Sequence, residues 1–317
     1  MKKKYSIGID IGGTNTKFGI VNSKGKILIQ SRILTNESDT IHDFIDLLFE
    51  KLTPMIRKIA PISQFNGIGI GAPNGNYYTG NIEHAANLKW KGIIPFAYMV
   101  AEKFNLQTKL TNDANAAAMG EMAYGCAKGM KHFITITLGT GVGSGIVIDG
   151  RIVLGHDGFA GELGHVVIRQ GGRLHPGTGI RGSLESYASA TGVSETAKEL
   201  LHQNPKTKSL LRVYLRKGTI NSQIVYDCAL KGDKIAKEVF KMTGQILGEA
   251  LANFIMFSSP EAIILFGGLT KAGDLLMNPT KKAMEENLIQ VFKNKTTLMF
   301  SQMKEADAAI LGASALV

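Results

Sequence analysis

Cysteine is almost missing from this 317-residue chain, which has two, Cys126 and Cys228. Two thiols without CxxC spacing cannot build a disulfide framework, so the sequence points to a reducing, cytoplasmic setting with both thiols in the core. Long apolar runs are missing too. Met1-Lys2-Lys3-Lys4 resembles the start of a signal peptide, but the apolar stretch behind it is cut at Asp10 and Gly12-Gly13. No later segment reaches the roughly eighteen uninterrupted apolar residues of a spanning helix, so the expectation is a protein neither exported nor embedded in a membrane. Charge of one sign is in excess, at a formal net +10, yet it forms no block: Lys231 to Lys241 mixes lysines with Asp233 and Glu238. That argues against a nucleic-acid partner and for a mildly basic, solvated surface whose field would favour a polyanionic substrate. A G-x-x-x-x-G-K-[ST] phosphate loop is also absent. What is present is 44% hydrophobic content, enough for a large core in one large domain or two.

The glycines are placed rather than scattered. Asp10-Ile11-Gly12-Gly13-Thr14-Asn15-Thr16-Lys17 lies between two strand-like runs, Tyr5 to Asp10 and Phe18 to Val21. Glycines there let the backbone turn and approach an anion, with bare N–H groups, the Thr14 hydroxyl and the Lys17 ammonium as phosphate partners. Leu138-Gly139-Thr140-Gly141-Val142-Gly143-Ser144-Gly145 repeats the arrangement between Phe133 to Thr137 and Ile146 to Ile148, and Asp149-Gly150 then turns the chain into Ile152-Val153-Leu154. These loops join strand to strand, where a P-loop or a Rossmann fingerprint joins strand to helix. Ala262 to Phe266 reads as a buried strand emptying into Gly267-Gly268, bare backbone against which an adenine and ribose could lie.

Periodicity supplies the rest of the map. Ile41, Phe44, Ile45, Leu48, Leu52, Met55, Ile56 and Ile59 recur at helical spacing, with Thr40 as a start and Pro54 as a possible kink. Gly67 to Gly71 reads as a small-residue strand ending in the turn Ala72-Pro73-Asn74-Gly75, Ile94 to Phe104 as a helix, Thr108 to Thr111 as a strand and Asp113 to Tyr124 as an alanine-rich helix. Residues 156 to 182 are irregular and glycine-rich, a length usually functional. Helices are expected over about 183 to 257, a strand at 262 to 266, a helix near 271 to 292, a strand at 297 to 302 and a last helix from Ala306. Strands and helices alternate in both halves, which predicts an α/β architecture of two similar domains.

Chemistry should lie where strands end. Asn112 and Asp113 sit at the tip of a short strand and the start of a helix, with Asn115 completing a polar cluster that a plain cap does not need; Asp113, also a reasonable helix cap, is the candidate acceptor for a hydroxyl proton. Glu162 and His165 stand three apart in the glycine-rich stretch, Glu185 opens a helix, and Asn87 precedes Trp90. Carboxylates, amides and imidazole are the groups that grip vicinal sugar hydroxyls, although Glu185 alone could be a capping-box residue and His165 a satisfied loop histidine.

Taken in order over essentially the whole chain, DIGGTNTK, TNDANAAAMGE, LGTGVGSG, GELGH and LFGG resemble the phosphate, catalytic, sugar and adenosine motifs of the ROK (repressor, open reading frame, kinase) sugar kinases of the actin-like ATPase superfamily. The resemblance implies two ribonuclease-H-like domains with a cleft that closes on sugar, residues 1–117 with about 303–317 forming the smaller and 118–302 the larger. It implies ATP-dependent phosphorylation of a hexose hydroxyl with Asp113 as base and Asn87, Asn112, Asp113, Glu162, His165 and Glu185 around the sugar. Gly12, Gly13, Thr14, Lys17, Gly139, Thr140, Gly141, Gly143, Gly267 and Gly268 would hold ATP, with Mg²⁺ near Asp10 through water, and a homodimer is expected. Glucose is the default acceptor; fructose, mannose, N-acetylmannosamine, N-acetylglucosamine and a polyphosphate donor stay open.

One departure stands out. Kinases of this family usually carry a zinc loop, CxCGxxGCxE, completed by the histidine of GELGH, and this chain reads Pro176-Gly177-Thr178-Gly179-Ile180-Arg181-Gly182-Ser183-Leu184-Glu185. With all three thiolates gone, no structural zinc is expected, His165 is left to the sugar, and the loop should be more mobile or repacked. The family also contains sugar-responsive repressors with an N-terminal helix-turn-helix domain; a first strand starting within five residues of Met1 leaves no room for one in this sequence, so a catalyst is expected over a sensor.

Overall fold

The computed structural model describes residues 3–317. Two compact units emerge from it. The first runs to Thr135, resumes over Gly145–Gly161 and includes Ser301–Val317; the second takes Ile136–Ser144 and Glu162–Phe300.

The first unit is built on a five-stranded sheet, and its face alternation comes straight from the sequence. Strands β1 (Tyr5–Ile11), β2 (Asn15–Asn22) and β3 (Ile27–Leu34) form an antiparallel meander, after which α1 (Ile41–Ile59) leads to β4 (Phe65–Gly71). A two-residue pair, β5 (Ile82–Glu83) and β6 (Ile93–Ile94), precedes α2 (Phe96–Phe104), β7 (Thr108–Thr111) and α3 (Asp113–Tyr124). The sheet order is β3-β2-β1-β4-β7, with β1, β4 and β7 parallel. In β1 the isoleucines Ile7, Ile9 and Ile11 enter a core with Phe44, Leu48 and Phe96, each such buried side chain contributing about 1.5–3 kcal/mol. α1 opens on a capping box in which Thr40 Oγ1 accepts from the Asp43 N–H at 3.1 Å and Asp43 Oδ2 accepts from the Thr40 N–H at 3.2 Å. Pro54 lies inside α1 without ending it.

The second unit's sheet repeats the plan. β8 (Phe133–Leu138), β9 (Val142–Ile148) and β10 (Arg151–Ile152) lead, through α4 (Glu185–Ala188), α5 (Ala190–Gln203), α6 (Leu211–Arg216), α7 (Ser222–Leu230) and α8 (Lys234–Ser258), to β11 (Ala262–Phe266), α9 (Asp274–Glu286) and β12 (Thr297–Phe300). The order β10-β9-β8-β11-β12 is the first sheet's order over again, third-second-first-fourth-fifth by appearance. The boundary between units falls inside β8 and β9.

The chain closes with α10 (Glu305–Ser314), which belongs to the first unit. It rides on bare backbone: a Cβ on Gly8 of β1 would lie 2.0 Å from the Ile310 carbonyl oxygen, and one on Gly69 of β4 would lie 1.8 Å from that of Ala313. The Gly-Ile-Gly-Ile-Gly run of β4 therefore sends isoleucines to one core and leaves the other face free for a helix. Gly69→Ala should force α10 outward and destabilise the protein by about 2–3 kcal/mol, read as a lower midpoint in urea unfolding; an unchanged midpoint would refute this packing account.

Three sequence expectations shift. Ile94 is extended and the helix begins after it, because Pro95 disfavours helical backbone at the residue before it. The helix expected near 271 to 292 is a short 3₁₀ turn, Gly268–Ala272, then Gly273 at φ 56°, then α9, because that left-handed glycine breaks the run. The last strand stops at Phe300. Among the described residues no helix is long and apolar enough to cross a membrane.

Candidate active site

In the first unit, three parallel strands end level. Asp10 of β1 pairs in register with Gly71 of β4, Gly71 with Thr111 of β7, and Asp10 also faces Lys17 across the β1–β2 hairpin. From Thr111 the chain turns into α3 through Asn112 and Asp113. Asn112 is the cap: its Oδ1 accepts from the Asn115 N–H at 2.7 Å. Asp113 is thereby the first helical residue with no capping duty, its Oδ1 accepting from the Ala114 N–H at 2.8 Å. Asn112 keeps its NH₂ and the second lone pair of its Oδ1 to meet a ligand.

The two carboxylates are close enough to feel each other. Burial, then the Asp113 charge, lifts Asp10 from 3.8 to about 6, with Lys17 pulling the other way. Water reaches Asp113, but protein crowds its other sides, and this loss of solvation raises its carboxyl above the usual range despite the Ala114 N–H. A Cβ at Gly71 would lie 3.6 Å from the Asp113 Cα and 4.0 Å from Asp10 Oδ1, so glycine keeps that space open.

The Gly12-Gly13-Thr14 turn lies beside this pair. Gly12 N–H donates to the Asn15 carbonyl at 3.0 Å and the Thr14 carbonyl accepts from Thr35 N–H at 2.9 Å. The N–H groups of Gly13 and Thr14 have no intramolecular partner among the described residues. Gly13 is also where the loop carrying Asn87 rests, since a Cβ there would come within 2.8 Å of the Asn87 carbonyl oxygen. Lys91, which the sequence did not single out, cinches that loop by donating to the carbonyls of Ala86 at 3.0 Å and Leu88 at 2.6 Å.

The second unit carries a hairpin of the same kind. In its hairpin, Gly139 N–H donates to the Gly141 carbonyl at 3.0 Å and Gly143 N–H to Thr137 Oγ1 at 3.1 Å. The unpartnered donors among the described residues are those of Thr140 and Gly141, fewer than the glycine count suggests. Helix α5 braces the turn: Ala190 N–H donates to the Gly139 carbonyl at 2.8 Å and Thr191 Oγ1 to the Thr140 carbonyl at 3.1 Å. Gly267, at φ 108°, lies against the end of β8, where a Cβ would be 2.6 Å from the Leu138 carbonyl oxygen, and Gly268 opens the turn that follows.

Glu185 does not act as a capping-box residue. Its Oε2 accepts from the Val142 N–H at 2.6 Å and its Oε1 pairs with His175 Nε2 at 2.8 Å. A Cβ on Gly141 would come within 2.3 Å of Oε2, so a larger residue there would push the carboxylate from its place. Gly164 lies flat on β9, and Leu163 N–H donates to Ser144 Oγ at 3.1 Å, so the Glu162–His165 turn is tied to the same hairpin. His165 Nε2 is 3.9 Å from Glu162 Oε2, its buried Nδ1 has no hydrogen-bond partner, and its ring centre is 6.2 Å from that of His175. His175 stands one residue before Pro176, the first zinc-loop position, and its imidazole meets the Glu185 carboxylate.

The loop does not fit zinc. Thr178 Oγ1 is hydrogen-bonded to His175 Nδ1 at 2.9 Å, Ser183 Oγ to Ser186 Oγ at 2.8 Å, and Pro176 has no donor atom to offer. Neutral hydroxyls engaged with neighbours are not the soft ligands of a tetrahedral site.

A doubled sheet plan, each copy with a glycine hairpin at its first bend, defines an α/β protein of the actin-like ATPase fold. The ROK family model matches residues 6–317, and the chain belongs to the ROK family. It is 34% identical over 322 aligned residues to a glucokinase of Halalkalibacterium halodurans, covering 100% of this chain and 96% of that protein. It is 30% identical to a glucokinase of Thermotoga maritima, covering 100% and 98%. Among solved structures, a ROK family glucokinase from Streptomyces griseus in complex with glucose and AMPPNP matches at TM-score 0.79 and 29% identity, over 99% of both chains.

Proposed function

We propose that this protein is an ATP-dependent hexose kinase that converts glucose to glucose 6-phosphate. The observation that carries the reading is Asp113: a carboxylate at the level carboxyl ends of three parallel strands, relieved of capping by Asn112 and held above the ordinary carboxylate range. Full-length relatives named glucokinase support glucose as acceptor.

In this mechanism the Asp113 carboxylate accepts the proton of the sugar hydroxyl as its oxygen bonds to the γ-phosphorus of ATP and the bond to the β-phosphate oxygen breaks, releasing ADP. The unpartnered N–H groups of Gly13, Thr14, Thr140 and Gly141 and the Lys17 ammonium meet phosphate oxygens, where fixed donors stabilise developing charge without reorganising. Gly267 and Gly268 lie against the adenosine. Asn87, the Asn112 amide, Glu162, His165 and Glu185 hold the hydroxyls; the His165 side chain is 34% exposed and the Glu185 carboxylate has spare lone pairs, which suits both to it. Asp10 would hold Mg²⁺ through water, and the ion when bound would offset phosphate charge.

The test is ADP release measured with glucose, fructose, mannose, N-acetylmannosamine and N-acetylglucosamine, each with ATP and with polyphosphate. Glucose with ATP should give the highest kcat/KM. Sugar binding without turnover would instead make the protein a sensor.

A further inference from the structure

One arginine is bound by every hydrogen it has. The Nε and Nη2 atoms of Arg173 grip Glu199 at 2.9 and 2.6 Å, Nη1 donates to the carbonyls of Ser186 at 2.5 Å and Gly192 at 3.1 Å, and Nη2 also reaches Thr196 Oγ1 at 3.0 Å. That uses all five N–H groups of the guanidinium. Its plane lies 4.6 Å from the centre of the Tyr187 ring, and the Tyr187 hydroxyl accepts from the Arg173 backbone N–H at 2.8 Å. The side chain is only 12% exposed.

These bonds join three segments. Arg173 sits at the start of the loop that runs to Ser183; Ser186 and Tyr187 lie on α4, and Gly192, Thr196 and Glu199 on α5. The arginine carbonyl also accepts from Gly182 N–H at 2.8 Å, and the next residues, Leu174 and Arg181, form a bridge, so both arms of the loop are pinned at its base. Two residues beyond Arg173 is His175, whose ring holds Thr178 on one nitrogen and Glu185 on the other. The loop has no thiolate and no fit to zinc, and the guanidinium, with the His175–Glu185 pair, cross-links it to the helices.

We infer that Arg173 is a positioning residue for sugar binding: it fixes the loop so that His175 aims the Glu185 carboxylate at the hexose. It touches no substrate. A lysine cannot replace it, because a single ammonium has three donors and no planar fork for Glu199. The effect should fall on the sugar, since the bonds of Ala190 and Thr191 to the Gly139 turn do not pass through the arginine.

The inference rests on the hexose-kinase reading, and its test separates the two. The full-length wild type, Arg173→Lys, Arg173→Ala and Glu199→Gln are compared for kcat, for KM of glucose and of ATP, for glucose binding by calorimetry and for Tm. Arg173→Ala should raise the glucose KM and Kd about 10- to 100-fold with ATP KM within about threefold. Arg173→Lys should recover little of this, Glu199→Gln should lie between, and millimolar guanidinium should partly rescue the alanine variant. A glucose KM unchanged in both Arg173→Ala and Glu199→Gln would overturn the inference, and so would a parallel rise in both KM values with a lowered Tm. If the alanine variant does not fold, Glu199→Gln decides on the same criteria. A wild type that neither binds nor phosphorylates any hexose sinks the kinase reading first, and this inference with it.

Discussion

Asp113→Asn is expected to lower kcat about 10²- to 10⁴-fold while changing glucose Kd by no more than a few fold. The amide keeps the size of the side chain, and its oxygen can still accept from the Ala114 N–H that Asp113 Oδ1 uses at 2.8 Å. It cannot take a proton from the attacking hydroxyl. The pH profile gives a second readout. The carboxyl is held above the ordinary carboxylate range, so the acid limb of wild-type kcat should fall at a higher pH than a free aspartate would give. Asp10 titrates alongside, so the limb reports the pair. Near wild-type turnover in Asp113→Asn, or an identical acid limb, would remove Asp113 from the mechanism.

Asp10→Asn should make the protein more stable and less active at once. Asp10 is at about 6 in the folded chain against an ordinary 3.8, so folding favours its protonated form. The ionised carboxylate therefore costs stability above about pH 6, a cost that disappears as pH falls below 3.8, where both states are protonated. At 1.36 kcal/mol per unit the ceiling is about 3 kcal/mol, and solvent at its partly exposed edge lowers this to about 1–2 kcal/mol. At pH 7.5 the asparagine variant should melt roughly 1.5–3 °C higher than wild type, and the gap should close near pH 4. Turnover should drop about 10²-fold or more, because the group argued to hold Mg²⁺ is lost. A lower Tm at pH 7.5 would contradict the electrostatic account; a higher Tm with full activity would remove Asp10 from the mechanism.

Much of this was legible in the chain. The hairpins around Gly12-Gly13 and Gly139-Thr140-Gly141 were readable because strand alternation interrupted by glycine is a local signal, and the start of α1 at Thr40 because a capping box spans three residues. Other features were not. Sequence favoured Asp113 as the functional acid without excluding it as a cap, since Asn112 and Asp113 are both good caps and only their backbone angles separate them. Three sites of bare backbone N–H were expected at Gly12, Gly139 and Gly143 that the turns use internally. Lys91, Arg173 and His175 had no motif to announce them, since their partners are carbonyls or side chains identified by position in space.

By itself the order of residues determined the α/β class, the two glycine hairpins, the acid at the start of α3 and the loss of thiolates from the loop at 176 to 185. Each of those depends on neighbours a few positions away, where backbone preference and ligand chemistry act directly. Tertiary structure alone decided that Glu185 reaches the Val142 amide 43 residues earlier, that His175 leans on the same carboxylate, and that Arg173 binds loop to helices. Contacts across such separations depend on the whole path of the chain, and a single carboxylate can meet them only after the sheet and its helices have packed.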